Sequence, residues 1–187
     1  MATEKELSDF LKGADRRAFK RTVYAVHDED AALDIVQDTM IRLATRYADR
    51  PAAELPLLFA RILSNATMDW FRRRKVRVGV LQNFSDLEPA GSQDFDLLET
   101  LETIETAWGA RGPADHLMRD QTLAAIEAAV ADLPPRQREA FLLRYWEELD
   151  VAETALVMGC SAGSVKTHCA RAVKALATAL GAKGLKP

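Results

Sequence analysis

Cysteine is nearly absent: Cys160 and Cys169 are the only two in 187 residues, which makes neither a disulfide framework nor a four-ligand zinc site. No apolar run approaches the ~18 to 20 residues that span a bilayer. The opening segment MATEKELSDF lacks the basic start and apolar stretch of a signal peptide. There is no glycine-rich phosphate loop, and His27, His116 and His168 fall in separate segments with no acid–base partner pattern. These absences predict a cytoplasmic protein, not inserted in a membrane, with no metal, no cofactor and no catalytic residues.

What is present is ordinary folding material, 48% hydrophobic and 28% charged. The length suits one medium domain or two small ones. Apolar residues recur at helical spacing and no convincing strand alternation appears. Leu33, Val36, Met40, Leu43 and Tyr47 mark one face of a helix from about Asp30 to Tyr47. Pro51 and Pro56 enclose a loop, and Phe59, Ile62, Leu63, Ala66 and Trp70 mark the core face of the next helix. Asn83, Ser85, Pro89, Gly91 and Ser92 form the best domain boundary. Leu97, Leu101, Ile104 and Trp108 suggest a short acidic helix beyond it. The expected fold is all-α: two small helical domains, 1–78 and 120–187, joined by an acidic linker, 79–119.

The net charge of −3 argues against a nucleic-acid partner, but the distribution argues for one. Arg61 to Arg77 holds six basic residues and one acid, and Ser161 to Pro187 holds five and none. Between them, Val78 to Ala110 carries seven acids and no Lys or Arg. Two basic patches flanking an acidic connector suit a two-point DNA reader.

The clearest motif lies between Leu149 and Leu180. Asp150 and Glu153 make a D-x-x-E helix start, Gly159 offers a positive-φ turn, and Ser161 caps a second helix. Along that helix Val165, Cys169, Ala172 and Leu176 form an apolar back. Ser164, Thr167, His168 and Arg171 form a front of hydrogen-bonding groups that suits the major groove, and Lys166 and Lys174 flank it as phosphate holders. This is a helix-turn-helix.

In the N-terminal half, Arg61, Asn65, Met68 and Arg72 fall opposite the apolar face, and Arg72-Arg73-Arg74-Lys75 follows, more charge than a helix dipole needs. On the preceding helix Asp34, Asp38 and Arg42 line up beside Gln37 and Ile41, a mixed surface suited to protein docking.

Together these pieces resemble the sigma-70 superfamily, specifically its extracytoplasmic-function group. Asp34-Ile35-Val36-Gln37-Asp38 is similar to that group's polymerase-docking helix. Arg61 to Asn65, followed by Asp69 and the Arg/Lys cluster, looks like its −10 helix. Leu133 to Phe141 resembles the opening of its C-terminal domain, and Gly159-Cys160-Ser161 with Gly163 to Lys166 resembles the start of its recognition helix. The resemblance covers roughly 30–77 and 123–180.

It implies a monomeric factor that binds core RNA polymerase at the clamp and the β-flap and recognises promoter DNA, and that an anti-sigma factor can silence. Its −10 residues are then Arg61, Asn65, Met68, Asp69, Arg72 and Arg73. Its −35 residues are Ser161, Ser164, Lys166, Thr167, His168, Arg171 and Lys174. The polymerase-binding set is Asp34, Ile35, Gln37, Asp38, Ile41 and Arg42. Two departures stand out. The stretch from Phe19 to Asp34 is shorter than the family's, implying an abbreviated first helix, and His168 and Cys169 replace a usual Arg and Leu. A dimeric helix-turn-helix regulator would use the same C-terminal residues but leaves the Asp34–Gln37 string unexplained.

Overall fold

Thr3 opens the first helix with a reciprocal cap. Its hydroxyl accepts from the Glu6 N–H at 3.2 Å, while the Glu6 carboxylate accepts from the Thr3 N–H at 2.7 Å. From there α1 runs Glu4–Val26 and ends where His27 turns left-handed at φ 54°. At 23 residues it is not the abbreviated helix expected from the short Phe19–Asp34 interval, because it begins almost at the N-terminus. The structure, a computed structural model, describes residues 3–78 and 124–182.

The second helix, α2, runs Glu29–Arg46 from an Asp28 cap. A 3-10 turn at Ala52–Glu54 follows Pro51, and α3 runs Leu55–Val78 with Pro56 in its first turn, where a missing N–H is harmless. The three helices pack on one another, with Val36, Leu43, Leu55 and Leu63 fully buried and Phe10 set edge-on to Phe59. The buried face of α2 is rotated from the one read from sequence. Ala32, Ile35, Val36, Thr39 and Leu43 are inside, whereas Leu33 is 46% exposed. Ala32 and Thr39 are small or polar enough to hide from a hydrophobicity pattern, yet they centre the stripe on Ile35.

In the C-terminal half, α4 is helical over 124–131. Pro134 and Pro135 then start α5, Pro135–Phe141, which widens into a π turn at Leu142–Trp146. Two further helices follow, α6 at Val151–Met158 and α7 at Ala162–Ala182. Every regular element among the described residues is helical, as expected. None of these helices is long and apolar enough to cross a membrane. The expected acidic linker, 79–119, and its helix near Trp108 lie outside the described residues.

The two halves also touch. Helix α3 packs against α6, and both α1 and α3 meet α5. One apolar cluster runs from Leu7 and Phe59 through to Phe141 and Leu176, and a second joins Ala60 of α3 to Leu143, Val157 and Val165.

Candidate nucleic-acid interface

The α6–turn–α7 unit is assembled by local capping. Asp150 accepts from the Glu153 N–H at 2.8 Å and Glu153 accepts from the Asp150 N–H at 2.9 Å, fixing the start of α6. Gly159 closes that helix at φ 63°, a backbone state that costs a side-chain-bearing residue energy. Ser161 then accepts from the Ser164 N–H at 3.1 Å, satisfying an orphan donor at the start of α7. Val165, Ala172 and Leu176 are buried and hold α7 against α5 and α6.

The opposite side of α7 carries no acid from Ala162 to Ala182. Lys166 and Lys174 are exposed, while Ser164, Thr167, His168 and Arg171 are half-buried along one flank. The Ser164 hydroxyl lies 2.9 Å from that of Ser161, and Thr167 donates to the Gly163 carbonyl. Burial lowers the pKa of His168, and Arg136 and Arg171 lower it further, so the imidazole presents itself neutral at physiological pH. Cys169 belongs to the back: burial pushes its thiol up to about 11, which suits a core residue and not a reactive one.

On α3 the expected residues divide. Arg61, Asn65, Arg72 and Arg73 are exposed, and Asp69 is half-buried and bonded to Arg72 at 2.5 Å. Arg74 lies over the Trp70 ring at 5.0 Å. Met68 departs from the expected exposed face. It is only 8% exposed because that side of α3 lies against the C-terminal half.

On α2, Asp34, Gln37, Asp38 and Arg42 are exposed, and Arg42 pairs with Asp38 at 3.7 Å. Ile41 is 60% exposed, as Leu33 is two turns earlier at 46%, so two exposed apolar side chains interrupt this polar stripe. Ile35 is not part of that surface, for its side chain belongs to the core.

Sequence reading missed a buried polar seam between the halves. Glu139 of α5 accepts a hydrogen bond from Ser64 of α3 and another from Arg136 at 3.1 Å. Arg138 donates to the Ala25 carbonyl at the end of α1 and to the Ala131 and Leu133 carbonyls of its own half. Arg21 is buried 3.7 Å from Glu147, which also pairs with Arg17 at 3.2 Å. Burial pushes the Glu139 carboxyl up, an effect that Ser64, Arg136 and Arg21 oppose. A weak signal was available: Arg138 and Glu139 immediately precede the apolar run Ala140 to Leu143 on the same short helix.

The geometry defines a class, an all-helical protein with a C-terminal helix-turn-helix of DNA-binding type. Residues 123–176 match the family described as "Sigma-70, region 4". The chain is 29% identical over 167 residues to the ECF RNA polymerase sigma factor BldN of Streptomyces coelicolor, spanning 87% of this chain and 55% of that one. It is 26% identical over 184 residues to the RNA polymerase sigma-E factor of the same organism, spanning 96% and 89%. In fold it is similar to the sigma factor RpoE of Bartonella quintana, solved with the anti-sigma factor NepR, at TM-score 0.65, 21% identity and coverage of 95% and 98%. Residues 123–176 thus carry the region-4 signature, and the chain along most of its length is similar to RNA polymerase sigma factors, several of them of the extracytoplasmic-function group.

Proposed function

We propose that this protein binds core RNA polymerase and directs it to promoters by recognising −10 and −35 elements, carrying out no chemistry of its own. The observation that carries this reading is α7: a Ser161-capped helix, acid-free, apolar behind and basic in front, lying within the matched segment 123–176. Ser161, Ser164, Lys166, Thr167, His168, Arg171 and Lys174 then meet duplex −35 DNA. The two exposed lysines hold phosphates, and the half-buried flank reads base edges.

Arg61, Asn65, Asp69, Arg72 and Arg73 meet the −10 element, with Met68 joining once its side of α3 is uncovered. Asp34, Gln37, Asp38, Ile41 and Arg42 dock on the polymerase clamp, and the C-terminal half meets the β-flap. Exposed Leu33 and Ile41 also give an anti-sigma factor an apolar hold on α2. The factor works in the cytoplasm as a monomer when free. The acidic segment 79–119 links the two domains, 1–78 and 120–187. Transcription with purified core polymerase on a genomic template library tests the reading. Promoter-specific starts that depend on this protein support it, and core-level background starts would overturn it.

A further inference from the structure

Among the described residues three buried side-chain nitrogens lack a hydrogen-bond partner, and one of them, His168 Nδ1, lies on α7. The other two, Arg138 Nε and Trp146 Nε1, lie on α5 and the π turn that follows it.

A neutral imidazole carries a proton on one nitrogen and a lone pair on the other, and an imidazolium carries protons on both. At Nδ1 a proton would be a buried donor with no acceptor. It would also face a field made positive by Arg136 of α5 and Arg171 of α7. No carboxylate among the described residues offsets those two cations at this ring. The same cations favour a lone pair in that place. The arrangement of lower energy is therefore a bare Nδ1 inside and an N–H at Nε2, which is not among the buried orphans. Burial and both guanidiniums disfavour a second proton as well.

The neighbours narrow what this donor does. On the same flank Thr167 donates its hydroxyl proton to the Gly163 carbonyl at 3.0 Å, so it turns only lone pairs outward. The Ser164 hydroxyl is tied to that of Ser161 at 2.9 Å. Phosphates are better met elsewhere: Lys166 and Lys174 carry exposed ammonium groups, while His168 is half-buried. A phosphate on His168 would also favour the imidazolium, the form that this site opposes.

In the major groove purine N7, guanine O6 and thymine O4 accept hydrogen bonds, whereas cytosine presents a donor. Thymine O4 stands beside the 5-methyl group, which crowds a ring that is itself half-buried. Purine N7 has no methyl group beside it. We propose that His168 is a specificity residue of α7 that donates one hydrogen bond from Nε2 to N7 of a purine and does not hold a phosphate. This rests on the assignment of α7 to duplex −35 DNA and adds the chemistry of one contact to it. Such a donor takes guanine and adenine alike and rejects cytosine.

Long-range proton–nitrogen correlation spectra of the nitrogen-labelled full chain read the ring without DNA. The His168 signals are identified by their loss in His168→Ala. A single proton, on Nε2, is expected throughout pH 6 to 8. A proton on Nδ1, or a charged ring at neutral pH, overturns the proposal.

The contact itself is tested in holoenzyme with core polymerase, on a promoter taken from the transcription library. Each −35 purine on either strand is replaced in turn by its 7-deaza analogue, which puts C–H where N7 stood. One replacement is expected to weaken wild-type binding about three- to tenfold, as for the loss of one hydrogen bond. His168→Ala binds the unmodified promoter more weakly by a similar factor and ignores that replacement, while circular dichroism keeps its helical signal. Should this variant lose helicity, His168→Phe, which keeps the bulk of a ring and lacks the donor, takes its place. The salt dependence stays that of wild type, whereas loss of a phosphate contact would lower its slope by about 1. Promoter-specific binding in which no purine shows this coupling, or a flattened salt dependence in the variant, overturns the base contact and leaves the −35 assignment of α7 standing. Absence of promoter-specific binding removes that assignment and the contact with it.

Discussion

Ser64 and Glu139, 75 positions apart, meet in a hydrogen bond with 2% and 5% of their surfaces exposed. The serine belongs to the helix that carries the N-terminal basic cluster, and the glutamate to the helix on which the helix-turn-helix is built. A single buried polar contact thus reports whether the two halves are together.

This contact makes stability depend on pH. Burial raises the folded-state pKa of Glu139 above its ordinary 4.5, with Ser64, Arg136 and Arg21 opposing the rise. The folded chain therefore holds a proton that the unfolded chain has released, so the contribution of this group falls as pH rises through the raised value. Glu139→Gln removes the titration. Chemical denaturation across pH 4 to 7 is expected to show a flatter profile for the variant, and an unchanged slope would show that Glu139 ionises normally.

Helix α2 separates docking from folding. Asp34, Gln37 and Asp38 are exposed, so replacing all three with Ala leaves the helical content intact and abolishes co-purification with core polymerase. Ile35→Ala acts the other way: this buried residue costs about 2 to 5 kcal/mol of stability when truncated. Wild-type core binding by the triple variant would remove this face from the polymerase interface. An Ile35→Ala chain as stable as wild type would contradict its burial.

The turn between α6 and α7 supplies a local check. Gly159 has φ 63° and open space around its missing Cβ, so Gly159→Ala is strained by backbone conformation alone. About 1 kcal/mol is lost. Asp150→Ala removes the cap from α6 and costs a similar ~1 kcal/mol. Thermal unfolding of the two single variants and the double should give nearly additive losses, as they act at opposite ends of α6.

What was legible in the sequence follows the range of the forces involved. Asp150, Gly159 and Ser161 act on neighbours three or four residues away, so the helix-turn-helix could be read almost residue by residue. The face of α2 was harder. Leu33 outranks Ala32 and Thr39 in hydrophobicity, yet helix crossing favours the small residues inside and leaves the leucine out. Met68, Arg21 and Arg138 were misread or missed because their burial is decided by the other half of the chain, over separations that no local pattern encodes. The charge asymmetry of the two basic segments was visible at once, but not the seam that packs α3 against α5 and α6.

If α3 and α7 divide a promoter as proposed, their two basic patches should fail in different ways. Lys166 and Lys174 are exposed on α7, and replacing either with Ala should lower the dependence of log affinity on log salt by about 1 without changing which −35 sequence is preferred. Arg171→Ala should instead cost about 1 to 3 kcal/mol on the preferred duplex and relax the choice of base, if its guanidinium makes a bidentate base contact. Arg73→Ala acts on the other half: affinity for a template melted at −10 falls and its salt dependence flattens, while duplex −35 binding is unchanged. Fluorescence anisotropy against both templates at several salt concentrations separates the three outcomes. Equal losses on both templates for Arg171→Ala and Arg73→Ala would mean that α3 and α7 do not divide the promoter between them. A flatter salt dependence with base preference intact at Arg171 would move that residue from reading bases to holding phosphate.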